Sequence, residues 1–118
     1  MKVSVKMLVA LFFVVSIGWS YWYGTVYWKD GGNVGRDCKV TAHGVDTTDV
    51  VVYTGSQGEY VLHDQDGMAP GKTYDPVRGQ KDREGETWTG VVDGETYYTY
   101  PNKEKDITLN PPEENPSK

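Results

Sequence analysis

Residues 36–43 read Arg-Asp-Cys-Lys-Val-Thr-Ala-His and alternate apolar with polar side chains more cleanly than any other stretch of the chain. Side chains in an extended strand point to opposite faces with a period of two residues. Cys38, Val40 and Ala42 therefore share one face, and polar or charged side chains share the other. This pattern is typical of an antiparallel strand with one side on the core and the other side in water.

Other short runs rich in β-branched and aromatic residues lie on both sides of this stretch, separated by turns that contain glycine or proline. After Gly24, no stretch places apolar residues at helical spacing over three turns. The pattern predicts an all-β sandwich or barrel. The other predicted strands cover residues 24–29, 49–54, 59–63, 72–75, 87–92, 96–100 and 106–110.

The region that follows the run at 72–75 carries three further signals. Pro76 should weaken or end that strand, because proline donates no hydrogen bond to a strand ladder. Residues 79–86 are highly charged, which predicts an exposed loop. Asp93-Gly94 lies between two β-rich runs and predicts a hairpin turn that joins them.

Five short motifs follow one another after the apolar N terminus: Gly24-x-Val26 with Asp30-Gly31, Lys39-Val-Thr41, Thr54-Gly-Ser-Gln-Gly58-Glu-Tyr60, Ala69-Pro-Gly-Lys-Thr-Tyr74 and Asp106-Ile-Thr-Leu109. In this order they resemble the carboxypeptidase regulatory-like domain, a small transthyretin-like (prealbumin-like) β-sandwich. The resemblance covers most of residues 24–109 and implies a Greek-key sandwich of about seven strands. It implies an accessory or binding role and no catalysis. The segment 79–100 departs from the family pattern, because it is longer than the connection that the family usually has at this place in the chain.

The N-terminal segment has two interpretations. Two lysines precede an uncharged apolar run, Met7–Val15, as in a secretory signal peptide, and a cut after Gly18 is compatible with the small residues there. Alternatively, residues 1–23 form an uncleaved signal-anchor, a transmembrane helix that crosses the lipid bilayer through residues 3–23. Both interpretations keep the lysines in the cytoplasm. The rest of the chain is then exported: a single-pass inner (cytoplasmic) membrane protein has its C-terminal domain in the periplasm or outside the cell, and a cleaved chain is secreted.

Aromatic side chains crowd the end of the apolar run and favour the anchor. Tryptophan and tyrosine gather at the headgroup level of a bilayer, where one edge of the ring is apolar and the other can hydrogen-bond. Alternatively, these aromatic residues simply begin the first strand of the exported domain. The predicted membrane-interface or partner-contact residues are Trp19, Tyr21, Trp22, Tyr23 and Trp28.

Composition limits the possible partners. The 12 lysines and arginines include Lys2 and Lys6, so the exported part has 10 basic against 17 acidic residues, a net charge of −7. This excess argues against nucleic acid, because phosphate binding needs clustered lysine and arginine. Cys38 is the single cysteine and is expected to be buried. The β-sandwich domain is predicted at residues 24–110, and a proline-rich disordered tail at residues 111–118.

Catalytic chemistry has little support in the sequence. His43 and His63 are the only side chains with an ordinary pKa near neutrality, and both are expected to be exposed on strands. Asp64-Gln-Asp-Gly67 lacks the ligand spacing of a full calcium loop. No nucleophile–base pair, metal cluster or cofactor motif can be assembled, so we expect no catalytic, metal or cofactor site.

Two functional hypotheses remain. The first is a non-catalytic, membrane-anchored accessory or structural subunit whose β-sandwich docks on a larger membrane complex, respiratory or photosynthetic, or on an envelope assembly. The second is a secreted or tethered module that binds carbohydrate or protein. Exposed tyrosine and tryptophan are frequent interface anchors, and the candidate binding surface consists of Trp88, Tyr97, Tyr98 and Tyr100.

Overall fold

A computed structural model describes residues 21–98 and 101–112. Strands dominate this part of the chain, together with one short 3-10 turn at Asp64–Asp66. The strands pair into two sheets, which confirms the predicted all-β, two-sheet architecture. The described strands are β1 Tyr21–Trp28, β2 Lys39–Gly44, β3 Val50–Tyr53, β4 Glu59–His63, β5 Thr73–Arg83, β6 Glu86–Val92, β7 Glu95–Thr96, β8 Lys103–Glu104 and β9 Ile107–Leu109.

The two sheets have different pairings. In the first sheet the order is β4–β1–β8, and β9 also pairs with β1. β1 is antiparallel to β4 and parallel to β8 and β9. In the second sheet the order is β3–β2–β5–β6, β7 also pairs with β5, and every pairing is antiparallel. The nine described strands exceed the eight that the sequence pattern predicts and the about seven that the resemblance implies, because residues 73–104 form four strands where three were predicted.

The two sheets are joined along one side of the sandwich. Thr89 on β6 and Asn110 after β9 exchange two backbone hydrogen bonds, with N···O distances of 3.1 and 2.8 Å. Gly90 allows this approach, because a Cβ atom there would overlap the carbonyl oxygen of Thr108. These bonds connect the end of β9, which pairs with β1 in the first sheet, to β6 in the second sheet.

The core lies between the sheets and is built on the alternation that the sequence predicts. Cys38, Val40 and Ala42 are all fully buried, as expected. Burial raises the pKa of the Cys38 thiol above its ordinary value. Three aromatic rings from both sheets meet edge-to-face nearby, with centroid separations of 5.7 to 6.5 Å: Trp22, Tyr74 and Tyr97.

The strand that contains Pro76 does not end there, although its pairing is interrupted at this residue, which is the weaker of the two predicted outcomes. The predicted loop at residues 79–86 is wrong. β5 continues through Pro76 to Arg83 and forms a hairpin with β6. Its pairing with β6 begins only at Val77, and its pairing with β7 involves Thr73 and Tyr74. The missing proline N–H therefore falls in a gap between two paired stretches, where no ladder bond is lost.

The predicted hairpin at Asp93-Gly94 is also wrong. β6 and β7 do not pair with each other, because both pair with β5. Asp93 and Gly94 form a step between them, in which Gly94 N donates a 2.8 Å hydrogen bond to Asp75 Oδ1. A side chain at Gly94 would overlap the Tyr74 carbonyl oxygen, so the glycine serves close backbone approach rather than a turn.

The N-terminal predictions are only partly within the described residues. The described part of β1 already includes Tyr21, three residues before the predicted domain start at Gly24. Residues 21–23 are therefore strand, and the remainder of the predicted anchor lies outside the described residues. Among the residues described, no helix has the length and apolar character needed to cross a membrane. Most of the predicted tail, residues 113–118, likewise lies outside them.

Candidate docking surface

The outer face of the first sheet carries a row of tyrosines. Side chains alternate along β1, so Tyr21, Tyr23 and Tyr27 all point away from the core. Val61 on β4 is the direct cross-strand neighbour of Tyr23. Tyr23, Tyr27 and Val61 are 37, 40 and 44% exposed. We call these four residues the tyrosine face.

The rings at the start of β1 support one another. The Tyr21 and Tyr23 rings meet edge-to-face with centroids 5.6 Å apart. Tyr21 also stacks on His63, at a centroid distance of 6.2 Å and an interplanar angle of 26°. The Tyr21 backbone N–H donates a 3.0 Å hydrogen bond to Asn102 Oδ1. These contacts hold the aromatic surface in place before any partner binds, which lowers the entropy lost on association.

Carboxylates border the tyrosine face. Glu59 pairs with Thr25 on β1, and Glu104 on β8 pairs with Tyr23. Asp106 is exposed and accepts a 2.8 Å hydrogen bond from the Thr25 backbone N–H. At the outer-face positions that these described pairings place beside β1, there is no lysine or arginine. The surface is therefore aromatic at its centre and acidic at its border.

Local turns occupy the free edge of β4 at both ends. The Glu59 carbonyl oxygen accepts a 2.9 Å hydrogen bond from Gly55 N. At the other end, His63 N donates to Asp66 Oδ2 at 3.0 Å, and the His63 carbonyl accepts from Met68 N at 3.3 Å. An added strand would have to displace these bonds. The face of the sheet is thus more accessible to a partner than its β4 edge.

The residues predicted to contact a membrane or partner have different environments. Tyr21 and Tyr23 belong to the tyrosine face, whereas Trp22 points inward and is fully buried. Trp22 is therefore a core residue, and its prediction as a contact residue is wrong for this fold. Trp28 is half-buried against the core. Trp19 lies outside the described residues.

Trp28 and Trp88 come from different predicted groups, yet they lie together at one end of the sandwich. Their rings meet edge-to-face with centroids 5.3 Å apart. The Arg83 guanidinium carbon lies 4.4 Å from the Trp28 ring centroid and 4.9 Å from that of Trp88. Arg83 also contacts both carboxylate oxygens of Asp30, at 3.0 and 3.2 Å. The guanidinium therefore covers one face of each indole ring.

The remaining residues of the candidate binding surface separate. Tyr97 is fully buried, and its hydroxyl donates a 2.6 Å hydrogen bond to Asp64 Oδ1. Burial, and then this neighbouring carboxylate, raise the pKa of Tyr97 above its ordinary value. Tyr98 is exposed, and Tyr100 lies outside the described residues. The structure thus does not assemble the predicted surface: Tyr97 is a core residue and Trp88 packs against Trp28.

The two histidines have structural partners. His63 is buried rather than exposed, which corrects the prediction, and its Nδ1 accepts a 3.0 Å hydrogen bond from Gln65 N at the start of the 3-10 turn. His43 Nδ1 lies 3.4 Å from an Asp49 carboxylate oxygen. Within residues 21–98 and 101–112, no three histidine, cysteine or acidic side chains are grouped as metal ligands.

Sequence reasoning missed a buried cation. Lys105 follows β8 with its side chain turned inward, where Nζ lies 4.8 Å from the Trp22 ring centroid. Nζ donates to the Asp93 carbonyl at 3.1 Å and lies 3.5 Å from Glu95 Oε1. The Tyr60 hydroxyl donates to the Lys105 carbonyl. Nothing in the local sequence marks this lysine, because its partners come from distant strands.

Comparison with known protein families, curated proteins and solved structures finds no match to this chain. The transthyretin-like resemblance therefore stays a prediction. Function has to be inferred from surface chemistry, and the tyrosine face offers exposed aromatic side chains that contact one another on an ordered strand.

Proposed function

We propose that this protein is a non-catalytic, membrane-anchored accessory subunit whose exported β-sandwich docks on a larger protein complex. The complex is a respiratory or photosynthetic membrane complex, or an envelope assembly. The observation that carries this proposal is the tyrosine face on β1. The described part of β1 starts at Tyr21, so the anchor predicted to cross the bilayer through residues 3–23 would lead directly into this strand.

The chemistry of the tyrosine face suits a protein interface. Tyrosine offers a large apolar ring together with a hydroxyl that can hydrogen-bond, and it is enriched among residues that dominate binding energy. Tyr21, Tyr23 and Val61 are direct neighbours on this face, and Tyr27 lies further along the same face beyond Thr25. Contiguous exposed apolar patches mark interaction sites more reliably than isolated apolar residues do.

The position of β1 supports docking beside a membrane. If the preceding segment is the anchor, the first strand leaves the bilayer with almost no linker. The face of that strand then lies close to the headgroups and to the exported parts of neighbouring membrane proteins. This placement raises the effective concentration of a membrane-embedded partner.

We also infer the finer transthyretin-like, Greek-key assignment of the sandwich. Gly58 has a φ of +78° in the turn before β4, where the family motif carries its glycine. A Cβ atom at Gly58 would press on Asn33 Cβ, 3.0 Å away. Tyr60, two residues later, is buried as the motif suggests. Backbone assignment by NMR would test the strand order.

Membrane extraction tests the docking proposal. A tagged full-length chain should be purified from its native membrane in mild detergent and analysed by native gel and mass spectrometry. We expect it in a complex much heavier than the chain itself. The double variant Tyr23→Ala and Val61→Ala should leave that complex, whereas Val45→Ala, which alters another exposed apolar residue, should remain in it. Recovery of the unaltered chain as a lone monomer would contradict the proposal.

The intact mass of the native protein tests the anchor. A mass that begins at Met1 or Lys2 supports retention of the N-terminal segment. A mass that begins near Trp19 shows cleavage and favours the secreted alternative. This measurement separates a failure of anchoring from a failure of docking, because a cleaved chain could still bind through the tyrosine face.

The alternative function is a secreted or tethered module that binds carbohydrate or protein. The tryptophan pair at the end of the sandwich favours it, since indole rings stack on sugars. Stacking on Trp28 or Trp88 would require Arg83 to leave the ring faces that it covers. Glycan arrays and tryptophan-fluorescence titration, each with Trp88→Ala as the control, test this alternative. An unchanged signal on every glycan would remove carbohydrate from consideration.

A further inference from the structure

β3 is the outer strand of the second sheet and pairs on one side only, with β2. Just beyond the paired stretch, Thr54 N donates a 3.0 Å hydrogen bond to the Cys38 carbonyl. Bonded and non-bonded residue pairs alternate along an antiparallel ladder. The N–H and C=O groups of Val51 and Tyr53 therefore point away from β2. We call the backbone groups of these two residues the β3 edge.

The β3 edge is open and unprotected. Within residues 21–98 and 101–112, no backbone hydrogen bond outside the strand ladders uses Val51 or Tyr53. Their side chains are 43 and 60% exposed. Natural sheets protect such an edge with a charged residue, a proline or a bulge. Residues 50–54 read Val-Val-Val-Tyr-Thr, and their pairing with β2 keeps a regular register, so β3 has none of these devices.

Other outer strands differ from β3 in this respect. On β4, local turns bond the Glu59 carbonyl and both backbone groups of His63. β6 begins with the charged Glu86, and at Thr89 it is bonded to Asn110. β8 has two residues. β3 thus presents two alternate residues whose donors and acceptors are free to pair with a further strand.

We propose that the β3 edge binds an extended segment of a partner protein, which adds to the second sheet as a further strand. The inference goes beyond the proposed function, since it concerns a surface separate from the tyrosine face. Main-chain hydrogen bonds to Val51 and Tyr53 supply the affinity in this mode of recognition. β-Branched or aromatic residues of the segment, placed beside these two side chains, form favourable cross-strand pairs.

Other occupants fit the β3 edge less well. Antiparallel pairing with β3 of a second copy places a two-fold axis perpendicular to the sheet, which reverses the direction of β1 in that copy. Under the proposed anchor, the two N-terminal segments would leave in opposite directions and could not enter one membrane from the same side. The chain's own residues 113–118 contain no β-branched or aromatic residue. A separate partner therefore supplies the segment.

Peptide binding to the full-length chain in mild detergent tests strand addition. The probe is a short fluorescent peptide that alternates threonine and valine and is N-methylated along one edge, so that it cannot pair with itself. The control peptide has the same side chains but is N-methylated along both edges, so it donates no hydrogen bond to β3. Fluorescence anisotropy should show that the probe binds roughly tenfold more tightly than the control. Equal affinities would overturn the proposal.

A proline variant locates the binding site. Val51→Pro removes an outward N–H but no ladder bond, because the pair Thr41 and Val51 exchanges none. It should weaken probe binding roughly tenfold, while circular dichroism shows a folded protein. Val51→Thr keeps the N–H and should bind the probe as the unaltered chain does. Unchanged binding by a folded Val51→Pro would overturn the assignment to β3.

Amide hydrogen exchange of the unaltered chain gives the same test if Val51→Pro does not fold. The N–H groups of Val51 and Tyr53 should exchange roughly tenfold more slowly once the probe is bound. The N–H of Val61, on the edge of β4, should exchange at its former rate. Slower exchange at Val61 alone would place the added strand on β4 and overturn the proposal.

Two further measurements separate strand addition from docking and from self-association. The double variant Tyr23→Ala and Val61→Ala alters the tyrosine face and should bind the probe normally. Failure of the docking proposal is therefore distinguishable from failure of strand addition. Concentration-dependent dimers of the unaltered chain, abolished by Val51→Pro, would overturn the partner segment in favour of a second copy.

Discussion

The two faces of β1 use the same kinds of residue for opposite purposes. Trp22 and Tyr23 are adjacent in the sequence, yet Trp22 is 1% exposed and Tyr23 is 37% exposed. Trp22 meets rings from the other sheet, whereas Tyr23 meets Tyr21 on its own strand. Strand alternation, and not aromatic character, decides which ring builds the core and which is available to a partner.

This difference separates folding from association. Rings on the inner face contact both sheets, so their loss should unfold the domain. Rings on the outer face contact only their own sheet, so their loss should alter binding and leave the fold intact. Paired substitutions on the inner and outer faces, measured in the same assay, therefore test whether the two faces have these different roles.

Truncation of the inner aromatic residue should have the largest effect. Trp22→Ala removes a buried indole and the ring that Lys105 contacts, and should lower the free energy of unfolding by about 3–5 kcal/mol. Tyr23→Ala on the outer face should cost about 0.5 kcal/mol or less. Urea denaturation followed by circular dichroism measures both. If Trp22→Ala is already unfolded in buffer, Trp22→Phe should show a smaller loss. An equal loss of unfolding free energy at Trp22 and Tyr23 would contradict the different roles of the two faces.

Much of the strand pattern could be predicted because it is local. The inward stripe of Cys38, Val40 and Ala42 follows from alternation alone, and β4 has the bounds predicted for it, Glu59–His63. The prediction gave only residues 72–75 for β5, because a proline follows them, whereas the strand continues because Pro76 falls at a gap in its pairing. That gap exists only once β6 and β7, distant in sequence, both pair with β5.

The candidate site was predictable only in part for the same reason. Tyr21 and Tyr23 were predicted as contact residues because they lie in an aromatic cluster after the apolar run. That reasoning grouped Trp22 with them, since composition does not distinguish the two faces of a strand. Tyr27 could have been added from the alternation along β1. Val61 could not, because its place beside Tyr23 depends on the register between β1 and β4.

A glycine on the inner face should show the next largest effect. Gly24 lies between Trp22 and Val26, and a side chain there would overlap the backbone carbonyl of Lys105. Gly24→Ala should therefore displace the segment that follows β8 and destabilise the fold by about 1–3 kcal/mol. Thr25→Ala tests the neighbouring outer position and should cost less. Chemical denaturation of both variants decides whether the inner face is as tightly packed as these contacts indicate.

Gly55→Ala is the matched control for the added methyl group. The nearest atom to a Cβ at Gly55 is Glu59 Oε1, 3.8 Å away, which is ordinary contact. Its stability should remain near that of the unaltered chain. A loss at Gly55 as large as that at Gly24 would mean that glycine flexibility, and not close approach, explains the effect.

Two of the buried tyrosines, Tyr60 and Tyr97, should make the fold sensitive to alkali. Burial is the main cause that raises the pKa of both Tyr60 and Tyr97 above the ordinary value. Unfolded tyrosine ionises near pH 10, whereas the folded state keeps both protons beyond that pH. The folded state then binds more protons, so stability falls as pH rises above about 10. Each group adds a slope of up to about 1.4 kcal/mol per pH unit.

Phenylalanine variants show which tyrosine causes the loss of stability above pH 10. Tyr60→Phe and Tyr97→Phe each remove one ionising group, so each should flatten the loss of stability above pH 10. Each also loses one hydrogen bond and should cost about 1 kcal/mol at pH 7. Tyr53→Phe removes a hydroxyl from an exposed side chain on β3, so this variant should lose stability above pH 10 as steeply as the unaltered chain. Thermal denaturation between pH 7 and 11 measures the four proteins, and an unchanged slope in both core variants would contradict the burial argument.

The smallest effect is expected where the inner face of β1 approaches solvent. Trp28 lies on that face but is only half-buried, and Arg83 covers its ring between Asp30 and Trp88. Arg83→Ala should lower the free energy of unfolding by about 1 kcal/mol, because cation–π contacts and ion pairs near the surface are weak. Arg83→Lys keeps the charge but loses the planar stacking, so it should recover only part of that loss.

The fluorescence emission of Trp28 and Trp88 shows whether ring stacking or the ion pair with Asp30 holds Arg83 in place. Removing the guanidinium should expose Trp28 and Trp88 to water, shift their fluorescence emission to longer wavelength and increase quenching by iodide. Tyr27→Ala, on the outer face one residue earlier, should leave that emission in place. If high salt alone reproduced the Arg83→Ala shift, the ion pair with Asp30 would position the guanidinium. An emission unchanged by salt would show that stacking on the two indole rings holds the Arg83 guanidinium in place. At the half-buried end of the inner face of β1, a cation would then cover the tryptophan ring in place of an apolar side chain.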